Sequence, residues 1–272
     1  MSQPTRAFDS AWLKWAWAVV AGQALAADVK LFASDSERDR RFKVRNDYHP
    51  RRHCIAVTVE ALPEIPVRWG LRLGDIAHNF RSCLDHLAWA LVHRGSRAGR
   101  LTAPEMRRVY FPVSKDRLAF NNEIVTMLPG VRRSDITIVR KHQPHTTGSR
   151  SALHSFTLLV AMSNEDKHRA IKPIWVIPTG ATVSINAERD CVVTRIGRPF
   201  SDPIQVGCEL VNFYVRKTGP DPDIDVELDL MGQPSIDLRI TVLEWLDKCT
   251  AATGRLLSEF APPPAEIDKL GV

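Results

Sequence analysis

The chain has 272 residues, 44% of them hydrophobic and 25% charged, which is the make-up of a globular protein and excludes a disordered tract, a collagen-like repeat or a disulfide-built miniprotein. Lys and Arg number 37 against 31 Asp and Glu, a formal charge of +6 that favours a polyanionic partner without specifying one. Cys54, Cys83, Cys191, Cys208 and Cys249 fall at irregular spacings with no C-x-x-C, so neither a zinc ribbon nor a disulfide framework is indicated and a reducing, cytoplasmic setting is expected.

Ser10 can cap a long Ala- and Trp-rich helix that reaches about Phe32, where the charged stretch Ser34 to Arg41 ends it. Its apolar part, Trp15 to Ala27, has the look of a signal peptide, but Asp9 and Lys14 interrupt the approach and Gln23 the body. No run reaches the roughly 18 apolar residues of a membrane span. Phe42 to Tyr48 and His53 to Val59 are β-prone on either side of turn residues, which predicts a hairpin. Leu62-Pro63 and Ile65-Pro66 keep the chain out of helix until Gly70.

From Leu73 to Val92 the residues Leu73, Ile76, Phe80, Leu84, Leu87 and Leu91 recur at helical spacing. Shorter helices are expected near Lys115 to Met127 and Arg133 to His142, then a loop at Gln143-Pro144 and Thr146 to Ser149, and a second strong helix from Ser149 to about Arg169. Beyond residue 170 the runs 182–187, 191–196, 204–215 and 224–230 are β-branched or alternating, and turns at Gly180, Arg198-Pro199 and Gly219-Pro220 separate them into an expected antiparallel meander. Ser235 is placed to cap a last helix that Pro262 to Pro264 stop. The fold class is α+β in a single domain over 1–272, with a helical part at about 1–170 and 232–262 and a β-rich part at about 171–231.

The central helix carries its chemistry opposite the apolar stripe, where Asp75, His78, Asn79, Arg81, Ser82, Asp85, His86 and Trp89 gather. A solvated face is ordinarily filled by Lys, Glu, Gln and Ala, so His, Asn, Ser and Asp were chosen for something other than helix propensity. Two readings stay open: a buried polar network that fixes packing, and a functional site. A second cluster, Asn164, Asp166, Lys167, His168 and Arg169, ends a helix that is apolar nearly all the way round and therefore buried. A C-terminal cap accounts for Lys167 and Arg169, but not for Asp166 and His168, which are expected to meet Arg81 or His86 in a composite site.

Metal ligation is not expected, because His78 and Asp85 lie roughly 10.5 Å apart along the helix and no H-E-x-x-H occurs. Ser82 and Cys83 lack an elbow motif. General acid/base work on a phosphodiester needs only a His and a cation, and both are present without any cofactor.

Arg81-Ser82-Cys83-Leu84-Asp85-His86 resembles the R-x4-6-H motif of the HEPN superfamily, helical proteins that include metal-independent ribonucleases of toxin and defence systems. The resemblance implies that Arg81 holds the scissile phosphate and His86 acts as acid or base. The two polar clusters themselves add His168 and Lys167 as further catalytic candidates, with His78, Asn79, Asp85, Asn164, Asp166 and Arg169 in support. Ser82 stands where the family commonly has an amide or acid, and a sheet and two long helices follow the motif. The wider pair, G-D-x-x-H-N-x-R-S-x-L-D-H from Gly74 and N-x-D-K-H-R from Asn164, resembles a group of uncharacterised bacterial proteins and implies no activity.

Arg81 and His86 diverge by about 140° on the helix. A homodimer in which each chain supplies one of the pair resolves this, and Trp89 on the polar stripe suits such an interface. Single-stranded RNA is the expected partner, with basic residues around the hairpin (Arg38, Arg40, Arg41, Lys43, Arg45, Arg51, Arg52) and around Arg132, Arg133, Arg140 and Lys141. The alternative from another class is a non-catalytic binding protein whose polar cluster is structural or holds a small anion.

Overall fold

The N-terminal Ala- and Trp-rich run folds as helix α1 (Asp9–Ala33) in the computed structural model, which describes residues 7–33, 43–61, 65–95, 99–168, 175–187, 191–197, 206–217, 224–237 and 240–271. The fold is α+β and divides into two compact units: a helical one of Met1–Ala26, Val67–Lys172 and Leu243–Val272, and a β-rich one of Ala27–Pro66 and Pro173–Val242. The boundary lies close to the one expected near residue 171, but the expected helical part needs a correction, since residues 27–66 belong with the strands. None of the helices among the described residues is long and apolar enough to cross a membrane.

In the helical unit, α2 (Val67–His93) begins directly after Pro66, three residues before the expected start at Gly70. A proline closes the preceding extended segment but does not obstruct a helix that opens behind it. Leu73, Ile76, Phe80, Leu84, Leu87 and Leu91 all have zero exposure, and burying each is worth about 1.5–3 kcal/mol relative to leaving it in water. Next come α3 (Ala103–Met106), α4 (Arg117–Met127) and α5 (Arg133–Lys141). Helix α3 was not expected, although Thr102 and Glu105 form a capping box there that the T-x-x-E spacing could have disclosed.

Helix α6 (Ser155–His168) starts later than Ser149, because Pro144–Leu153 winds as 3-10 turns broken at Gly148, whose φ of 57° and ψ of −125° no helix accommodates. His154 caps α6: its Nδ1 accepts the Phe156 N–H at 3.2 Å. Helix α6 packs against α2. Helix α7 (Val242–Ser258) runs antiparallel to α1, with Phe8 stacked on Phe260, Trp12 Nε1 donating to the Ala261 carbonyl and Trp15 Nε1 to the Thr250 carbonyl. Gly254 permits this approach, since a Cβ there would lie 3.2 Å from the Trp15 ring. Trp245 of α7 meets Phe80 of α2 edge-on at 6.5 Å.

The β-rich unit holds β1 (Lys43–His49), β2 (Cys54–Ala61), β3 (Trp175–Ala187), β4 (Cys191–Ile196), β5 (Glu209–Lys217), β6 (Ile224–Asp237) and β7 (Ile240–Thr241). The expected hairpin is β1 and β2, joined by a 3-10 turn at Pro50–Arg52 that ends on left-handed His53. The strands are antiparallel and precede α7, but their pairing is not the sequential one of a meander. One sheet is ordered β1-β2-β5-β4 and the other β3-β6-β7.

Burial and strand length account for the difference. Cys54 to Val59 are all buried, as in the interior of a sheet, and β2 pairs along one edge with β1 and along the other with β5. The long strands β3 and β6 match one another from Trp175↔Ser235 to Ala187↔Ile224. Ser235 is therefore a strand residue, which also pairs with Thr241, and does not cap the last helix.

Candidate functional site

Phe111, Pro112 and Ser114 are buried but lie outside helix and strand, so their peptide groups must find partners other than a sheet. The polar face of α2 supplies one set. Asp85 Oδ1 accepts the Phe111 N–H at 3.0 Å, Arg81 Nη2 donates to the Phe111 carbonyl at 3.0 Å, and the two side chains close on each other at 2.9 Å. Gln143, with zero exposure, supplies the other: its Oε1 accepts the Ser114 N–H and its Nε2 donates to the Pro112 carbonyl, each at 3.0 Å. The His145 N–H completes the set by donating to the Ser114 carbonyl. Phe111, held in this way, packs edge-on against Phe156 of α6, on which the His154 ring also rests.

Arg81 and Asp85 thus fasten a peptide to a helix, and their side chains are only 16% and 24% exposed. The i, i+4 spacing that makes them neighbours on α2 also gives their paired edges the reach to grip both groups of one residue. The same arrangement leaves Arg81 little freedom to hold a phosphate.

The rest of the polar face is looser. Asn79 Nδ2 turns back to the Asp75 carbonyl at 2.9 Å, while its Oδ1 accepts from Lys14 Nζ of α1 at 3.3 Å. His78 Nε2 lies 3.4 Å from Ser82 Oγ. His86 is half-buried; desolvation lowers its pKa, Lys14 lowers it further and Asp85 opposes both, so the imidazole is neutral near pH 7 and able to accept a proton. Trp89 is 41% exposed and rests on His93 of the same helix at 4.5 Å. Cys83 is fully buried, and burial followed by the nearby Asp85 pushes its thiol far up, which makes it inert as a nucleophile.

Of the second motif, Asn164 is exposed at the end of α6. Asp166, Lys167 and His168 lie in that helix, but their side chains fall outside the described set, as does Arg169 altogether. The packing of α6 on α2 brings the two helices that carry the motifs together; contacts of the composite site lie outside the described side chains. Among the described residues no three His, Cys, Asp or Glu side chains gather as metal ligands.

Sequence reasoning missed three contributors. Lys14 reads in the sequence only as a break in an apolar run, yet a cation amid the Ala and Trp residues of 11–18 is itself a signal. Gln143 was read as a loop residue, and nothing local marks it as buried. His142 Nε2 and Lys141 Nζ both meet Glu259 Oε1, at 2.8 and 2.9 Å, and hold that carboxyl below its ordinary range; this fastens the end of α5 to the segment after α7.

Of the basic groups expected to meet RNA, Arg38, Arg40 and Arg41 lie outside the described residues, as does the side chain of Lys43. Arg45 is paired with Asp47, Arg140 lies over Phe120, and Arg51, Arg52, Arg132 and Arg133 are exposed. Comparison with known protein families, curated proteins and solved structures finds no match to this chain.

Proposed function

We propose that the helical unit is a metal-independent ribonuclease, in keeping with the HEPN-like R-x4-H stretch, with His86 as the proton-transfer group and Lys14 as the cation in place of Arg81. The observation that carries this reading is the division of the polar face. Arg81 is committed to Phe111, while His86 is half-open, neutral and within the field of Lys14. In the proposed reaction His86 removes the proton of an RNA 2′-hydroxyl, and the 2′ oxygen bonds to the adjacent phosphorus. The bond from phosphorus to the 5′ oxygen breaks, and that oxygen takes up a proton. Lys14 offsets the charge that develops on the phosphoryl oxygens. Lys167 and His168, on the helix packed against α2, are the candidates for a second cation and for the acid that protonates the leaving oxygen.

With Lys14 and His86 in one chain, cleavage does not depend on the homodimer that a shared Arg81 and His86 would need. Exposed Trp89 stays the surface proposed for a second copy.

The test is cleavage of labelled single-stranded RNA in EDTA. Wild type is expected to leave 2′,3′-cyclic phosphate ends, and His86→Ala and Lys14→Ala to lose activity with unchanged melting temperature. Absence of cleavage by wild type, or a fully active His86→Ala, refutes the proposal. The grip of Arg81 and Asp85 on Phe111 favours a second reading, a non-catalytic protein in which the cluster is a structural joint. It predicts large melting shifts for Arg81 and Asp85 variants and no RNA cleavage by any form.

A further inference from the structure

The four-stranded sheet of the β-rich unit has two unlike faces. Ile55, Val57, Val211 and Phe213 alternate onto one and are buried there. On the other, where Cys54 and Ala56 are buried too, the pairings Arg195↔Tyr214, Tyr214↔Cys54 and Cys54↔His49 set four residues in a row across all four strands, with His49 and Tyr214 partly buried and Arg195 exposed. An irregularity between Val193 and Arg195 places Thr194 and Arg195 together opposite Tyr214, and Thr194 Oγ1 secures it by donating to the Tyr214 carbonyl at 3.1 Å. The result is a guanidinium lying 4.1 Å from the centroid of the Tyr214 ring.

Charge is segregated along this sheet. Arg51 and Arg52 are exposed in the turn between β1 and β2, and the register brings exposed Arg195 and Arg216 to that same end. The exposed Glu60 and Glu209 lie at the far end, where Thr58 pairs with Glu209, about 20 Å away at roughly 3.3 Å per residue. Asp47, the carboxylate nearest the row among the described residues, is taken by Arg45 through bonds of 2.8 and 3.0 Å. An acidic peptide would use the charge and leave the stacked pair idle, and a nucleic-acid duplex buries the base faces that such a pair could meet. Single-stranded nucleic acid uses both: phosphates for guanidinium forks, and bases for a flat guanidinium and ring.

We propose that this end of the sheet binds single-stranded nucleic acid, with a base against the Arg195 and Tyr214 pair and neighbouring phosphates on Arg51, Arg52 and Arg216. The surface belongs to the β-rich unit and stands independently of the cleavage reading. The test is fluorescence anisotropy with the full chain and short labelled oligouridylate, oligothymidylate and a duplex, over a range of salt. Both single strands are expected to bind, with oligouridylate tighter if RNA is the ligand and the two alike if only the shared backbone and bases are read.

Arg51→Ala/Arg52→Ala/Arg216→Ala should weaken binding at least tenfold and flatten the log affinity against log salt line by about 2, at about 0.7 per phosphate. Tyr214→Leu should cost about five- to 150-fold, the range of one stacked base, with the salt slope unchanged. Arg195→Gln, at an exposed position, checks the stack without risk to folding. Unchanged binding by the triple variant, or a duplex that binds as tightly as the single strands, overturns the proposal. A wild-type chain that binds single strands without cleaving them removes only the ribonuclease reading.

Discussion

Arg81 and His86 sit on one helix within the same polar stripe, yet their surroundings are opposite. Arg81 and Asp85 hold both peptide groups of Phe111 and each other, and are mostly enclosed. His86 stands half-open beside Lys14, with its charged form disfavoured by desolvation. A stripe of polar residues on a helix is therefore not one feature. One half substitutes for a missing sheet partner, and the other is chemically available. Identical residue types can serve either end, which is why the stripe read equally well as structure and as site.

The comparison breaks most readily through stability. Gln143→Leu, close in volume but unable to hydrogen-bond, strands buried groups of Pro112 and Ser114 and should cost about 3 kcal/mol. Asp85→Ala leaves the Phe111 N–H and Arg81 without a main partner and should cost about 2 kcal/mol. His86→Ala should stay within about 0.5 kcal/mol, as expected for a half-open side chain away from such a network. Thermal melts rank them, and a His86→Ala shift as large as that of Asp85→Ala would erase the distinction between the two halves.

A smaller effect lies at the far side of Phe156. His154→Ala removes the α6 cap and should cost about 1 kcal/mol, while His154→Asn, which can accept the same N–H, should restore most of it. Burial first and His142 second lower the His154 pKa from its ordinary 6.5, so the unfolded chain takes up a proton more readily than the folded one. This contribution to stability is complete above pH 6.5 and declines as the pH falls below it. Denaturant melts of wild type and His154→Asn between pH 7.5 and 5.5 should diverge only on the acid side; parallel pH profiles would show that the ring does not titrate against its cap.

How much of this was legible depended on range. The three- and four-residue recurrence from Leu73 to Leu91 announced α2 and its buried face, because helical periodicity is local. The oddity of His, Asn, Ser and Asp on the opposite face was also legible. Its meaning was not, because Phe111 and Gln143 reach α2 only through tertiary structure. The β-rich half shows the same limit: strand β4 is where its β-branched run suggested, but its partnership with β5, and that of β5 with β2, rests on long-range ladders. Ser235 misled because a Ser ahead of an apolar run looks like a cap whether or not the intervening residues pair as strand.

The finest test of the contrast is the proton on His86 itself. Desolvation is the first cause of its lowered pKa, Lys14 the second, and Asp85 acts against both. Its midpoint, followed by NMR of the ring Cε1–H, should therefore lie below the ordinary 6.5 in the wild type. Lys14→Met removes a repelling cation with little loss of stem packing and should move the midpoint up. Arg81→Met should leave it nearly in place, since Arg81 is turned to Phe111 and is not among the charges that shift His86. If Arg81→Met moves the midpoint as far as Lys14→Met does, then Arg81 and His86 share one electrostatic site. The polar face would then have to be treated as a unit, with Arg81 restored as the phosphate-holding group that the R-x4-H motif implies.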